Sequence, residues 1–125
     1  MSYTITLSES RKFLEVKATG PITIDIVRQW SADIEKMSRA MDIRRFLFDV
    51  RTAQNVCTVL ENYFFAYRNS MELNLPRDVR SAILVSERDQ SHDFVETTLR
   101  NAGYNVRIFT DESSAVKWLE ENISA

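Results

Sequence analysis

The residues best suited to chemistry are polar side chains that close or follow two short apolar runs, Arg45–Val50 and Ala82–Val85. They are Asp49, Arg51, Thr52, Asn55, Ser86 and Arg88. Ligands of open α/β sheets bind beyond the carboxyl ends of the strands, where helix N-termini can also hold a phosphate or a carboxylate. These residues are therefore candidates for binding a partner or a ligand. The simpler interpretation, that they are ordinary helix caps and surface turns, stays open.

Asp49 and Arg51 also allow a structural interpretation. Their spacing of two residues places both side chains on one face of a strand if the strand continues that far. An ion pair between them would then anchor the loop that follows the strand.

Side chains suited to catalysis or metal binding are few. His92 is the single histidine and Cys57 the single cysteine, which argues against a Cys/His zinc site and rules out an internal disulfide. No second histidine or nucleophile lies near His92 in the sequence, and the apolar neighbours of Cys57 are typical of a buried structural thiol. We therefore expect no catalytic set, no metal and no cofactor.

An excess of aromatic residues marks the segment Tyr63–Tyr67. Phe64 and Phe65 are consecutive in a predicted helix, where successive side chains point about 100° apart, so the aromatic residues cannot all face one core. Phe65 is the residue expected to point elsewhere. It could be covered by another helix, by a partner subunit, or it could line an apolar pocket.

The elements that would position these residues begin with a hairpin and a helix. Tyr3–Leu7 and Phe13–Ala18 predict two antiparallel strands, with the turn-forming pair Gly20-Pro21 ending the second. Thr23 is the expected cap of the helix that follows. Its apolar stripe recurs at spacings of three and four and consists of Ile26 or Val27, Trp30, Ile34, Met37 and Met41.

Strands and helices then alternate to the end of the sequence. The predicted strands are Arg45–Val50, Ala82–Val85 and Val106–Phe109. The predicted helices run from about Asn55 to Asn74, from Ser91 to a stop at Gly103, and from a cap at Thr110 or Asp111 through Ala115, Val116, Trp118 or Leu119, and Ile123. The order ββαβαβαβα predicts a single α/β domain over residues 1–125 with a mixed, mostly parallel sheet.

Composition and charge narrow the class of protein. The chain has 125 residues, 44% hydrophobic and 27% charged, with a formal net charge of −2. This charge argues against nucleic acid as a partner, and apolar runs of a few residues fall short of the roughly 20 needed to cross a bilayer. No basic segment followed by a long apolar stretch opens the sequence. We expect a cytoplasmic protein that does not insert into the membrane.

Two segments carry a resemblance to a known family. One is Phe48-Asp49-Val50-Arg51, and the other is the closing motif Val106–Asp111 followed by Ala115, Trp118 and Leu119. Set in the element order above, they resemble the SpoIIAA-like (STAS-related) family of small bacterial proteins. The resemblance covers nearly the whole chain and implies a sheet with its helices largely on one face.

The resemblance also implies a kind of activity. Anti-sigma-factor antagonists of this family present a serine in an Asp-Ser-Ser-Gly-like turn after the central strand, and a partner kinase phosphorylates it. The equivalent segment here, Asp49–Thr58, has no Ser-Ser-Gly, and its only hydroxyls are those of Thr52 and Thr58. We carry over no phosphorylation site. We predict a non-catalytic module that contacts a protein partner or a second copy of itself; the alternative is binding of a small apolar or lipid-like ligand between helices and sheet.

Overall fold

The structure is a computed structural model that describes residues 3–55, 80–88, 93, 96, 97, 100 and 105–121. Five strands lie in these ranges: β1 (Tyr3–Leu7), β2 (Leu14–Ile22), β3 (Arg45–Asn55), β4 (Arg80–Leu84) and β5 (Asn105–Phe109). The helices bounded there are α1 (Ile24–Met41) and α2 (Glu112–Glu120). Asp93, Glu96, Thr97 and Arg100 are also helical and fall within the helix predicted from Ser91 to Gly103. The helix predicted from Asn55 to Asn74 lies outside the described residues beyond Asn55.

The described strands form one sheet in the order β1-β2-β3-β4-β5. β1 and β2 pair antiparallel as the predicted hairpin, and β2 to β5 run parallel to one another. The predicted α/β class with a mixed, mostly parallel sheet is confirmed. Because β2, β3 and β4 are parallel neighbours, their carboxyl ends lie at the same edge of the sheet.

β2 is longer than predicted, because it runs through Gly20-Pro21 to Ile22 instead of ending in a turn. Within the described residues, β1 pairs with β2 from Leu14 to Ala18, and β3 pairs with β2 from Leu14 to Ile22. Gly20 has a φ of 75°, a left-handed conformation that favours glycine. The same pairing carries β3 past the predicted end at Val50 to Asn55.

Residues at both ends of α1 satisfy backbone groups that have no partner within the helix. The Thr23 hydroxyl accepts a hydrogen bond from the Ile26 N–H at 3.4 Å, which confirms the predicted cap. At the other end Asp42 adopts a left-handed conformation and its N–H returns to the Ser38 carbonyl. The prediction that Met41 belongs to the buried stripe is wrong, since Met41 is 46% exposed. The chain turns at Asp42, and Ile43 is buried instead.

The two helices cover opposite faces of the sheet. Trp30 and Ile34 of α1 pack in one cluster with inward residues of the strands, among them Val16, Phe46, Ile83 and Val106. Ala115 and Leu119 of α2 pack in a second cluster with Phe13, Leu47, Ala82 and Leu84. α1 and α2 thus lie on opposite faces, and most residues of the other two predicted helices are outside the described part of the chain. The physical reason for the placement of α1 and α2 is that β3 and β4 bury apolar side chains at consecutive positions, so both faces need a cover.

Candidate functional site

The carboxyl ends of β2, β3 and β4 surround an open pocket of about 650 Å³. We call it the rim pocket; the described residues that line it are Gly20, Pro21, Arg51, Thr52, Ala53, Ser86 and Arg88. The pocket thus brings together four of the six polar candidates that close or follow the two apolar runs. They are Arg51, Thr52, Ser86 and Arg88. The parallel register explains this, since Thr52 pairs with Thr19 and Ala53 with Gly20 across β2 and β3.

Asp49 does not line the pocket and instead holds Arg51 in position. Arg51 donates from Nε to Asp49 Oδ1 at 3.0 Å and from Nη2 to Asp49 Oδ2 at 2.8 Å, a bidentate pair. The Arg51 backbone N–H also donates to Asp49 Oδ1, at 3.3 Å. Asp49 is 5% exposed, so this is a buried carboxylate satisfied by one neighbour. The predicted ion pair between the two residues is confirmed.

Arg51 also connects β3 to the first turn of α2, because its Nη2 donates to Glu112 Oε1 at 3.1 Å. The other end of α2 is anchored by Arg80 and Arg45, the first residues of β4 and β3, and Arg45 Nη1 donates to the Leu119 carbonyl at 3.4 Å. Arg80 Nη1 donates to the carbonyls of Trp118 at 2.9 Å and Glu121 at 3.1 Å, and its guanidinium lies 5.3 Å from the Trp118 ring centre. Cations suit the carboxyl end of a helix, where carbonyls lack partners within the helix. This anchoring fixes where Glu112 meets Arg51.

The charges around Arg51 shift one another in consistent directions. The hydrogen bonds from Arg51 hold the pKa of Asp49 below its ordinary value, and the same bonds raise the pKa of Arg51. In the neighbouring strand β2, burial raises the pKa of Glu15, and the negative charge of Asp49 raises it further. Asp49 is therefore ionised and Arg51 charged throughout the neutral range, so the pair does not titrate there.

The pocket lining also includes three polar residues, Ser86, Arg88 and Thr52. Ser86 and Arg88 are exposed and make no hydrogen bond or ion pair within the part of the chain that the structure describes. The Thr52 hydroxyl donates to the Ala18 carbonyl at 3.4 Å, a long bond that leaves its oxygen free to accept. The rim pocket therefore offers mainly hydrogen-bond donors, most of them on the guanidinium groups of Arg51 and Arg88.

The remaining candidate residues are not among the described residues that line the rim pocket. Asn55 ends β3 opposite Ile22, and its side chain is outside the described part. Five other residues named in the sequence analysis lie outside the described part of the chain: Cys57, Thr58, Phe64, Phe65 and His92. The sequence does not indicate three residues of the lining, because the pair Gly20-Pro21 is typical of a turn and Ala53 has no polar group.

The arrangement has the chemistry of a binding surface. Among residues 3–55, 80–88 and 105–121 with the four helical positions between them, no group of three His, Cys, Asp or Glu side chains could hold a metal ion. The described pocket lining has hydroxyls but no base within it to activate one. Donors on two guanidinium groups and a hydroxyl can instead hold an anionic group. Neither α1 nor α2 is long and apolar enough to cross a membrane.

Comparison with known proteins shows the fold. No family model and no curated protein matches this chain. Among solved structures, the anti-sigma factor antagonist SpoIIAA in its unphosphorylated form superposes with a TM-score of 0.63 at 10% identity, over 96% of this chain and 99% of that one. An uncharacterized DUF3478-family protein with a SpoIIAA-like fold from Shewanella loihica PV-4 gives 0.56 at 18% identity, over 94% and 92%. The Bacillus cell fate determinant SpoIIAA in its phosphorylated form gives 0.56 at 10% identity, over 94% and 99%. The chain has a SpoIIAA-like fold, as the sequence resemblance implied.

Proposed function

We propose that this chain is a non-catalytic regulatory module that binds a protein partner at the rim pocket. One observation carries the proposal. Ser86 and Arg88 are exposed and make no polar contact in the described structure, and they line the same pocket as Arg51, whose guanidinium is held by Asp49. Exposed polar groups next to a rigid cation form a surface that a partner can complete without rearranging the module.

The rigidity of this surface supports a role in recognition. Asp49 holds Arg51 by two parallel hydrogen bonds, and Glu112 ties the same guanidinium to α2. A side chain held in its binding orientation before association loses less conformational entropy when the complex forms. Arg51 is thus prepared for contact, whereas the exposed Arg88 adjusts to the partner.

The structural neighbours are consistent with regulation by protein contact. SpoIIAA is an anti-sigma factor antagonist and exists in phosphorylated and unphosphorylated forms. In the present chain the equivalent segment offers Thr52 in place of a serine turn, and the Thr52 hydroxyl already bonds to Ala18. We therefore place partner binding, and no phosphorylation switch, at this edge of the sheet, in a cytoplasmic protein.

A photo-crosslinking experiment tests the proposal. A photoreactive residue replaces Ser86 in one variant and the exposed Lys36 of α1 in a matched control, both expressed in cells. We expect a covalent adduct with one defined polypeptide from position 86 and none from position 36. Equal adducts from both positions, or none from either, would contradict partner binding at the rim pocket.

Self-association is the second part of the proposal and depends on the aromatic segment Tyr63–Tyr67. Size-exclusion chromatography with light scattering should give a mass above 14.6 kDa that rises with concentration. A strict monomer at high concentration would remove this part. The apolar-ligand alternative depends on Phe64 and Phe65, and native mass spectrometry of protein purified from cells would detect a ligand of that kind as added mass.

A further inference from the structure

We propose that the rim pocket binds a phosphate monoester, which is held by Arg88, Ser86 and Nη1 of Arg51. This inference rests on the proposed function, because it names the chemical group by which a partner would enter the pocket. The same group could also arrive on a small molecule, and the experiment below distinguishes the two sources.

The donors that remain available define the site. Arg51 uses Nε and Nη2 for Asp49 and Glu112, and its Nη1 makes no hydrogen bond within the described structure. Arg88 uses none of its five N–H donors there, and Ser86 does not use its hydroxyl. Two guanidinium groups from the ends of different strands therefore face one pocket with donors to spare.

The number and charge of these donors favour phosphate over carboxylate. A carboxylate has two oxygens and a single charge, whereas a phosphate monoester has three outer oxygens and carries a charge of about −1.5 to −2 at neutral pH. Two guanidinium groups offer enough N–H donors for three oxygens, and no acidic residue is among the described lining. The carboxylate of Asp49, which neutralises Arg51, is buried behind the guanidinium and does not line the pocket.

The shape of the pocket fits a group carried on a larger molecule. About 650 Å³ is more than a single ion occupies, and Gly20, Pro21 and Ala53 line it with short side chains. An added Cβ at Gly20 would meet no atom within 4 Å, so space lies open beside that backbone. The residue or small molecule that bears the phosphate can lie along this part of the pocket.

Glu112 competes with the bound phosphate, and this makes the proposal testable in two directions. Its carboxylate lies 3.1 Å from Arg51 Nη2, and the Glu112 side chain is 53% exposed. Ion pairs this exposed are weak, so a phosphate can displace Glu112 from Arg51. Removing the Glu112 charge should therefore tighten phosphate binding, whereas removing Arg88 should weaken it.

The experiment is a calorimetric titration at constant ionic strength. The probes are a phosphoserine peptide, its unphosphorylated form and phenyl phosphate; the proteins are the wild type, Arg88→Gln, Glu112→Gln and the control Lys36→Gln. Since a charge-assisted hydrogen bond contributes enough for a factor of about 10 or more in affinity, Arg88→Gln should lose at least that much. Glu112→Gln should gain a factor of about 2 to 5, and Lys36→Gln should match the wild type.

Each outcome bears on the proposal. Tighter binding of the peptide than of phenyl phosphate assigns the phosphate to a protein, and equal binding assigns it to a small molecule; both support the site. If Arg88→Gln binds like Lys36→Gln, or if neither phosphate probe binds, the phosphate site is refuted. A crosslink from position 86 combined with no phosphate binding would refute this inference and leave the proposed function standing.

Discussion

Replacing Asp49 by asparagine should destabilise the fold because it removes the charge from a buried bidentate pair. The Asp49 side chain is 7% exposed, and that of its partner Arg51 is 42% exposed. Asparagine keeps the shape of the side chain but provides one acceptor oxygen in place of two. One of the two side-chain hydrogen bonds from Arg51, at 3.0 and 2.8 Å, is then lost, and the other keeps its cationic donor but loses its anionic acceptor.

The magnitude follows from the burial of each partner. Breaking a fully buried ion pair costs about 3–5 kcal/mol, mostly through the uncompensated charge that remains in the interior. Here the remaining charge belongs to Arg51, which reaches water and keeps Glu112 as a second partner. We therefore expect the free energy of unfolding to fall by about 2–3 kcal/mol, in the range for a charge-assisted hydrogen bond. At about 4 °C per kcal/mol for a chain of this size, Tm should fall by about 8–12 °C.

The pH dependence of this loss has a definite sign. The pKa of Asp49 is lower in the folded protein than in the unfolded chain, mainly through its hydrogen bonds with Arg51. The stabilisation from Asp49 is therefore complete above the unfolded pKa of about 4 and disappears as pH falls through the folded pKa. The stability difference between wild type and Asp49→Asn should be full at neutral pH and should shrink in the acid range.

Urea unfolding followed by circular dichroism at a series of pH values measures this difference. The control is Asp33→Asn, an exposed carboxylate that accepts the Tyr3 hydroxyl at 2.7 Å, and it should change the free energy of unfolding by less than about 0.5 kcal/mol. An Asp49→Asn variant as stable as the wild type at pH 7 would refute the reasoning. So would a loss that stays constant as Asp49 becomes protonated.

Three further substitutions test the fold, each by Tm or urea unfolding. Asp42→Gly should stabilise by about 0.5–1 kcal/mol, because the φ of 54° at the end of α1 suits glycine; unchanged or lower stability would contradict that account. Leu47→Ala should cost about 2–5 kcal/mol, since Leu47 is 1% exposed, whereas Met41→Ala at an exposed position should cost less than about 0.5 kcal/mol. Similar losses for the two would show that the core is misplaced. Thr23→Ala should cost about 1 kcal/mol through the lost cap of α1, and Thr23→Ser should recover most of it.

Local pattern predicted most of the described elements. The alternation in Tyr3–Leu7 and the cap at Thr23 depend on neighbouring residues alone, and the structure confirms both. Of the two predicted caps of the last helix, Thr110 or Asp111, the structure has Asp111. The apolar run before Asp49 likewise predicts a buried strand, which β3 is. These features need no knowledge of what lies across the sheet.

The errors occur where a distant neighbour decides. Gly20-Pro21 forms a turn in isolation, but the pairing of Gly20 with Ala53 extends the backbone into β2. That partner lies 33 residues further along the chain, and no residue near Gly20 indicates it. The placement of α1 and α2 on opposite faces of the sheet also depends on distant contacts, because the sequence near α2 does not indicate which face it covers.

The candidate site was predicted in part for the same reason. The sequence indicated Arg51, Thr52, Ser86 and Arg88 as polar residues after strands, and the strand order brings them to one pocket. It did not indicate that Gly20 and Pro21 would lie beside them, since that follows from the length of β2. The second partner of Arg51, Glu112, is 61 residues away in the chain and meets Arg51 only because α2 packs beneath β3 and β4.

Amide hydrogen exchange of this chain, with and without the polypeptide crosslinked from position 86, tests the central claim most directly. The central claim is that the carboxyl edge of β2, β3 and β4 is the surface that a partner covers. Exchange should slow at Gly20, Ile22, Arg51–Ala53 and Ser86–Arg88 when the partner is present, and should stay unchanged along the exposed side of α1. Slower exchange confined to α1, with the carboxyl edge unchanged, would contradict the claim.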